Sequence, residues 1–240
     1  MTAAQIETIN FSLPGLPYSF GINPKTLLTS WIIMGLLLLL GVFIGRICKL
    51  TPGKFQTSAE YILGFFITFC KETFGKDWKK FFPLIATIFL FVLFSNLASV
   101  IPGVRAPTFD LNTCLGLGLM VFVIVHVSAI RHKGLVDYIK GYFRPFFLFF
   151  PLNVLGEFGK VISHSFRLFG NMFAAGIIIA LLGPIVFKIG GILAVPKVVT
   201  SPLVVMFLVI AQGFYGIFIG AIQAFVFAVL ALTYIAVARE

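Results

Sequence analysis

The stretch Glu157-Phe-Gly-Lys160-Val-Ile-Ser-His164-Ser-Phe-Arg167-Leu-Phe-Gly-Asn171 sets five polar or charged residues inside an apolar run that continues to Phe187. Glu157, Lys160, His164, Arg167 and Asn171 are spaced three, four, three and four apart. At about 100° per residue they share an arc of roughly 80° on one helix face. At about 1.5 Å per residue the stripe is roughly 21 Å long, a large part of a hydrocarbon core about 30 Å thick. A charge near the bilayer centre costs about 2.5 to 3.5 kcal/mol, so Arg167 on such a helix must face protein or water. The default reading of the stripe is an ion or substrate path. The alternative is a surface helix with one wet face, or a Glu157 to Lys160 pair that neutralises itself. The Phe, Leu, Val and Ile on the other faces weigh against it.

Working outward, the 240 residues are 60% hydrophobic and 11% charged, with 30 Phe, the composition of a polytopic membrane protein. The formal net charge of +10 is spread between long apolar segments, which fits membrane orientation rather than nucleic-acid binding. Lipid is the expected surroundings, with no nucleic-acid partner. Cys48, Cys70 and Cys114 show no metal-binding spacing and read as packing residues. Residues 1–26 lack the pattern of a cleaved secretory signal, so the first apolar segment is expected to be a retained anchor. No phosphate loop, nucleophile elbow or zinc motif occurs, and neither a cofactor, a metal site nor catalytic chemistry is expected on this chain.

The expected fold is an all-α polytopic membrane domain with three upright spanning helices, one interfacial amphipathic helix and two long tilted helices forming a hairpin. After an outer segment, 1–26, containing Pro14, Pro17 and Pro24, the first helix covers 27–47 and ends at Arg46, Lys49 and Lys54. From 55 to 80, charges interrupt an aromatic run too often for a span, which predicts an amphipathic helix in the cytoplasmic interface. Pro83 opens the second spanning helix, 83–101, closed by Pro102-Gly103, and an outer loop holds Arg105, Pro107 and Asp110. The third helix covers 111–130 and returns to the cytoplasm at Arg131, Lys133, Lys140 and Arg144. The striped segment, 151–187, and the last one, 201–238, are too long for upright crossings and are expected to tilt and pair across a loop holding Gly190-Gly191, Pro196 and Lys197. This assignment puts twelve basic residues inside and four outside, with the N-terminus outside and the C-terminus cytoplasmic. No internal repeat of the kind common in secondary transporters is visible.

On the last segment Gln212, Gly216, Gly220 and Gln223 fall in a similar arc, two amides separated by small residues. The glycines read first as close-packing positions. Gln223, buried among Ala, Phe and Val, needs a partner, and the stripe around Arg167 is the candidate. His126 and His132 read as interfacial or packing residues. His164, one turn before Arg167, is as well placed to titrate or hydrate a path as to pack.

At Ser-Phe-Arg167-Leu-Phe-Gly-Asn171-Met the sequence resembles the a subunit of the rotary F-type ATP synthase. Pro83 to Pro102 with Ser95-Asn96-Leu97, Pro151-Leu-Asn-Val-Leu-Gly-Glu157 and Gln223-Ala-Phe-Val-Phe extend the resemblance over nearly the whole chain. The resemblance implies a stator subunit in which Arg167 faces the carboxylate of each passing rotor-ring subunit, between two offset half-channels that carry H+ or Na+. It further implies that Asn171 and Gln223 line that contact, that Glu157 belongs to an access path, and that Lys160, His164, Gln212 and Asn96 lie along the path or contact. Implied partners are the rotor c-ring subunits and the peripheral-stalk b subunits. The implied location is the bacterial cytoplasmic (inner) membrane or, alternatively, an organellar energy-coupling membrane. Many members carry a glutamate nine residues after the arginine and a histidine or carboxylate seven before the glutamine, where this chain has Gly176 and Gly216. Family frequency favours protons, and the missing relay points toward sodium. The competing class is a secondary transporter with substrate on the stripe; a purely structural membrane subunit leaves Arg167 unexplained.

Overall fold

The computed structural model describes residues 9–12, 19–47, 53–101, 104–143, 146–192 and 197–239. Among the described residues the regular structure is helical apart from a short antiparallel hairpin before the first helix, β1 (Ile9–Ser12) with β2 (Ser19–Ile22), pairing Ile9 with Ile22 and Ser12 with Ser19. Among the described residues five stretches are long and apolar enough to cross a membrane: 24–46, 60–100, 111–133, 147–189 and 201–239. The expected breaks at Pro102-Gly103 and Pro196, the basic residues Lys49 and Arg144, and Pro14, Pro17 and Cys48 lie outside the described residues.

Helix α1 (Pro24–Ile47) starts on Pro24, whose fixed φ suits a first helical position and whose missing N–H would have no partner there anyway. Its Leu, Ile and Trp side chains are exposed nearly all round, the surface expected of a helix wrapped by lipid. Helix α2 (Lys54–Phe74) ends at Gly75, whose φ of +54° reverses the chain into α3 (Trp78–Leu97). The reversal is therefore made by Gly75 and not by Pro83, which lies inside α3. Pro83 forfeits a single bond near the charged end of that helix, where water can reach the freed carbonyl. Phe74 stacks on Phe81 at 4.3 Å and Phe66 meets Phe89 at 4.7 Å, so α2 folds back along α3.

Helix α4 (Leu111–Lys133) is capped by Asp110 and ends on Arg131, His132 and Lys133. Gly134, at φ +84°, turns the chain into the short α5 (Leu135–Tyr142), which the sequence pattern did not suggest. Helix α6 (Phe150–Ile192) runs 43 residues without a break. That is about 65 Å, twice a hydrocarbon core of about 30 Å. It continues through Gly190 and Gly191, expected in a loop, because an unpaired backbone group in an apolar setting costs more than a glycine's helix penalty. Helix α7 (Lys197–Gly213) passes through a π-helical segment, Phe214–Ile219, into α8 (Gly220–Arg239). The last segment is thus one helical run with a wider turn in its middle.

The core lies between α2, α3, α4, α8 and one face of α6, around Phe66, Ile85, Val92, Leu168, Phe227 and Leu232. Helix α8 runs antiparallel to α3, with Arg239 bonded to Asp77 at one end (2.9 Å) and Gly220 beneath Asn96 at the other (2.9 Å). Its inner face, Gly220, Ala224, Ala228 and Ala231, is fully or nearly buried. Between lipid-solvated helices the hydrophobic effect contributes little, so close backbone approach and interhelical hydrogen bonds hold this face. Helix α6 packs beside α7 and α8, with Asn171 meeting Gln223, His164 meeting Phe227, and Gly183 beside Leu208.

Candidate functional site

The first turns of the polar stripe pack against α4 and α8. Lys160 donates to Glu157 Oε1 at 2.6 Å, and its ammonium sits 6.0 Å from the Tyr234 ring centroid. The self-neutralising pair weighed against a path reading is therefore present, but it lines a cavity. His164 is 2% exposed, with its ring 3.8 Å from that of Phe227, and neither ring nitrogen has a hydrogen-bond partner. Glu157, Lys160, His164 and Tyr234, with Gly118 and Val125 of α4, line a cavity of about 20 Å³. That is room for one water-sized guest, and a buried polar group without a partner costs about 1 to 3 kcal/mol, so the site favours a small polar occupant. Ser165 presses against α4 at Gly118, where a Cβ would displace its hydroxyl. Beyond this pocket, the Tyr138 and Tyr142 hydroxyls of α5 meet at 2.5 Å, and Tyr142 docks the helix on α4, 3.3 Å from His126 Nε2. Burial, then the bond to Tyr142, push the Tyr138 phenol well above its ordinary pKa.

One turn further, the stripe emerges. Arg167 is exposed, beside a fully buried Leu168 that anchors the opposite face of α6, and among the described residues it joins no ion pair. Asn171 is also exposed, and its amide donates to Gln223 Oε1 at 2.7 Å. Gln223 is 4% exposed and its own amide nitrogen lacks a partner. The partner that Gln223 requires is thus Asn171, one turn past the arginine. Interhelical bonds of this kind contribute about 0.6 kcal/mol on average in membrane proteins, so this one orients side chains more than it stabilises the fold.

Past Arg167 the walls of α6 and α7–α8 open onto a chamber of about 700 Å³. Phe169, Met172, Gly176 and Ala180 of α6 face Gln212, Tyr215 and Gly216, and the loop from Val104 to Asn112 and the start of α1 at Asn23 and Thr26 close it. Both glycines that replace titratable residues of the family pattern line this one chamber. A Cβ on Gly176 would meet the Phe109 ring at 2.6 Å, and one on Gly216 would clash with the Val100 side chain. Gln212 donates to the Ser99 carbonyl, tying the lower turn of α7 to the end of α3. Asn96, fully buried, lines neither cavity. It donates to Gly220 and accepts from Thr108 at 2.8 Å, clamping α3, α8 and the loop before α4 together.

The cavity linings along α6 therefore divide at Arg167, while Asn171, the last residue of the stripe, lines neither. Positions within 157–164 of α6 line the small cavity and positions within 169–180 line the chamber, and neither cavity includes Arg167 itself. The sequence reading did not single out Tyr234, Tyr215, Asp110 or Thr108. Tyr234 stands eleven residues after Gln223, three turns along the same face, and was findable. The others come from loop packing or the wider turn at Phe214–Ile219, which no periodicity announces. Among the described residues no three His, Cys, Asp or Glu side chains converge to hold a metal ion.

A family model described as ATP synthase A chain matches residues 27–236. An ATP synthase subunit a of Moorella thermoacetica is 37% identical over 213 residues, covering 88% of this chain and 89% of that protein. One from Geotalea daltonii is 37% identical over 210 residues, covering 86% and 83%. A protein of Propionigenium modestum named ATP synthase subunit a, sodium ion specific, is 33% identical over 225 residues, covering 88% and 72%.

Proposed function

This chain belongs to the ATP synthase A chain family, and from that premise we propose that it is the membrane stator, carrying ions along two half-channels that meet at Arg167. The observation that carries this reading is the split of α6. The stretch before Arg167 brings Glu157, Lys160 and His164 to a small, largely apolar cavity, the stretch after it lines a large chamber, and Arg167, between the two along the helix, is exposed. A guanidinium keeps its charge at any physiological pH, pairs with a carboxylate on a facing surface, and repels cations that would pass straight from one cavity to the other. An ion arriving from either side can proceed only by boarding that facing carboxylate, which links its passage to movement of the partner. Asn171 and Gln223 flank the contact, and their mutual bond holds the amides beside the arginine. The partners on this reading are a rotor ring of c subunits against the Arg167 face and peripheral-stalk b subunits. Charge asymmetry supports an outer N-terminus and a cytoplasmic C-terminus in a bacterial inner membrane.

The test is ATP-driven ion pumping by the reconstituted complex. Arg167→Ala is expected to abolish pumping while the complex assembles at normal yield, because the residue is exposed and its loss leaves no cavity. Normal coupled pumping by this variant would defeat the mechanism. Protons are the ion by family frequency. Sodium is the second reading, favoured by the absence of an acid or histidine at Gly176 and Gly216 and by the sodium-specific relative. Sodium-22 uptake by ATP-hydrolysing vesicles that persists with a protonophore establishes sodium; vigorous acidification without uptake establishes protons.

A further inference from the structure

The chamber beyond Arg167 contains three ionisable side chains, Arg105, Asp110 and Tyr215. Arg105 cannot release its proton and repels a cation, and a phenol is neutral at physiological pH, so Asp110 supplies the negative charge. The helical walls cannot substitute for it, since Gly176 and Gly216 have no side chains and the Phe109 ring, Val100 and Ser99 fill the space where a Cβ would go. Asp110 caps α4 by accepting from the Asn112 N–H at 3.0 Å through one oxygen. Among the described residues its second oxygen has no protein donor and no ion pair joins it to Arg105. Capping alone needs no charge, because asparagine caps as well as aspartate.

We propose that Asp110 is the cation-receiving group of the outer chamber. Its carboxylate offsets Arg105 and concentrates the transported monovalent cation, hydronium or sodium, ahead of its passage toward Arg167. A charged group on the wall of a low-dielectric cleft focuses the field along it, which raises local ion concentration and entry rate. Without Asp110 the chamber retains only the positive charge of Arg105. This proposal rests on the half-channel reading above.

The test uses the whole complex in vesicles, with ATP synthesis driven by an imposed gradient while the cation on the chamber side is titrated, once as pH and once as sodium. Asp110→Asn keeps the cap and removes the charge. The expected result is an initial rate at low cation concentration about tenfold below wild type, converging on wild type as the cation rises and as salt screens the field. Adding Arg105→Gln to Asp110→Asn is expected to restore part of the loss, and Arg105→Gln alone to raise the low-cation rate. The titration that shows the convergence identifies the cation. Wild-type rates for Asp110→Asn at every concentration would overturn the proposal, as would a loss indifferent to cation and salt. If Asp110→Asn does not assemble, an unchanged low-cation rate in Arg105→Gln overturns it instead. Arg167→Ala in the same assay separates the two claims: if it pumps normally, the half-channel reading falls; if it is dead while Asp110→Asn is normal, only the role of Asp110 falls.

Discussion

The two stretches of α6 on either side of Arg167 line their cavities with opposite materials. Before Arg167 the helix brings its own polar groups, Glu157, Lys160 and His164, into a cavity of about 20 Å³. After it the helix brings Gly176 and small or apolar neighbours, and the polarity of the 700 Å³ chamber comes from Asn23, Thr26, Arg105, Asp110, Gln212 and Tyr215 on other elements. A narrow site must carry its chemistry on the wall nearest the ion. A wide one can be filled by water and needs only groups at its rim. The lesson is that a path can be marked by the side chains it contains or by those it leaves out.

Arg167 separates the two regions, and changing it has the largest expected effect. Arg167→Lys is expected to fail or be severely impaired in coupled pumping, since an ammonium can deprotonate and lacks the planar fork that holds a carboxylate in register. Pumping within a factor of about two of wild type, less than 0.5 kcal/mol, would mean that a point charge suffices and the boundary is weaker than described.

Filling the chamber comes next. Gly216→Phe would drive a ring into Val100 and Ser99 at the buried turn between Gln212 and Gly220. Overpacking of this kind costs about 1 to 3 kcal/mol, and the expected result is lost ion flux with reduced assembly. Gly176→Ala is the milder form, because its obstacle is the far edge of the Phe109 ring, which can swing away; flux is expected to fall little, and to recover with Phe109→Leu. Equal damage from both changes in flux assays would show that shape does not set conduction on this side.

The small cavity responds to chemistry instead. If protons are carried, Glu157→Gln should slow gradient-driven synthesis sharply and alter its pH dependence, because Glu157 and His164 are the embedded titratable groups on that side. If sodium is carried, the amide oxygen can still ligate and the loss should be mild. Either outcome, set beside the sodium-22 measurement, must name the same ion; disagreement would remove Glu157 from the path. The smallest effect is expected for Asn171→Ala, which removes the bond to Gln223 at a cost of about 0.6 kcal/mol. Its signature should be a modest loss of coupling in pumping assays without loss of the assembled complex.

How much of this was legible in the sequence follows from the same contrast. The stripe was readable because it lies on one helix, where a period of 3.6 turns residue numbers into a face; the two amides stand on α7 and α8, on either side of the wider turn at Phe214–Ile219. Asn96 was readable as important but not as a clamp, since its partners Thr108 and Gly220 are far apart in the chain. The turn at Gly75 was hidden by Pro83, the stronger signal eight residues later, because only the backbone angle distinguishes which of the two reverses the chain. The chamber was not legible at all: it is assembled from four separate stretches, and the clue that sequence offered, two glycines where a resembling family has titratable groups, says only what is missing.

Side-specific thiol labelling tests whether Arg167 divides a cavity open to one side of the membrane from a chamber open to the other. In an assembled complex whose Cys48, Cys70 and Cys114 have been replaced, single cysteines at Lys160 and Ala180 are exposed to a membrane-impermeant reagent from each side in turn. The result expected is that position 180 reacts only from the outside and position 160 only from the cytoplasm. Labelling of both from the same side, or of either from both sides with Arg167 intact, would contradict the account.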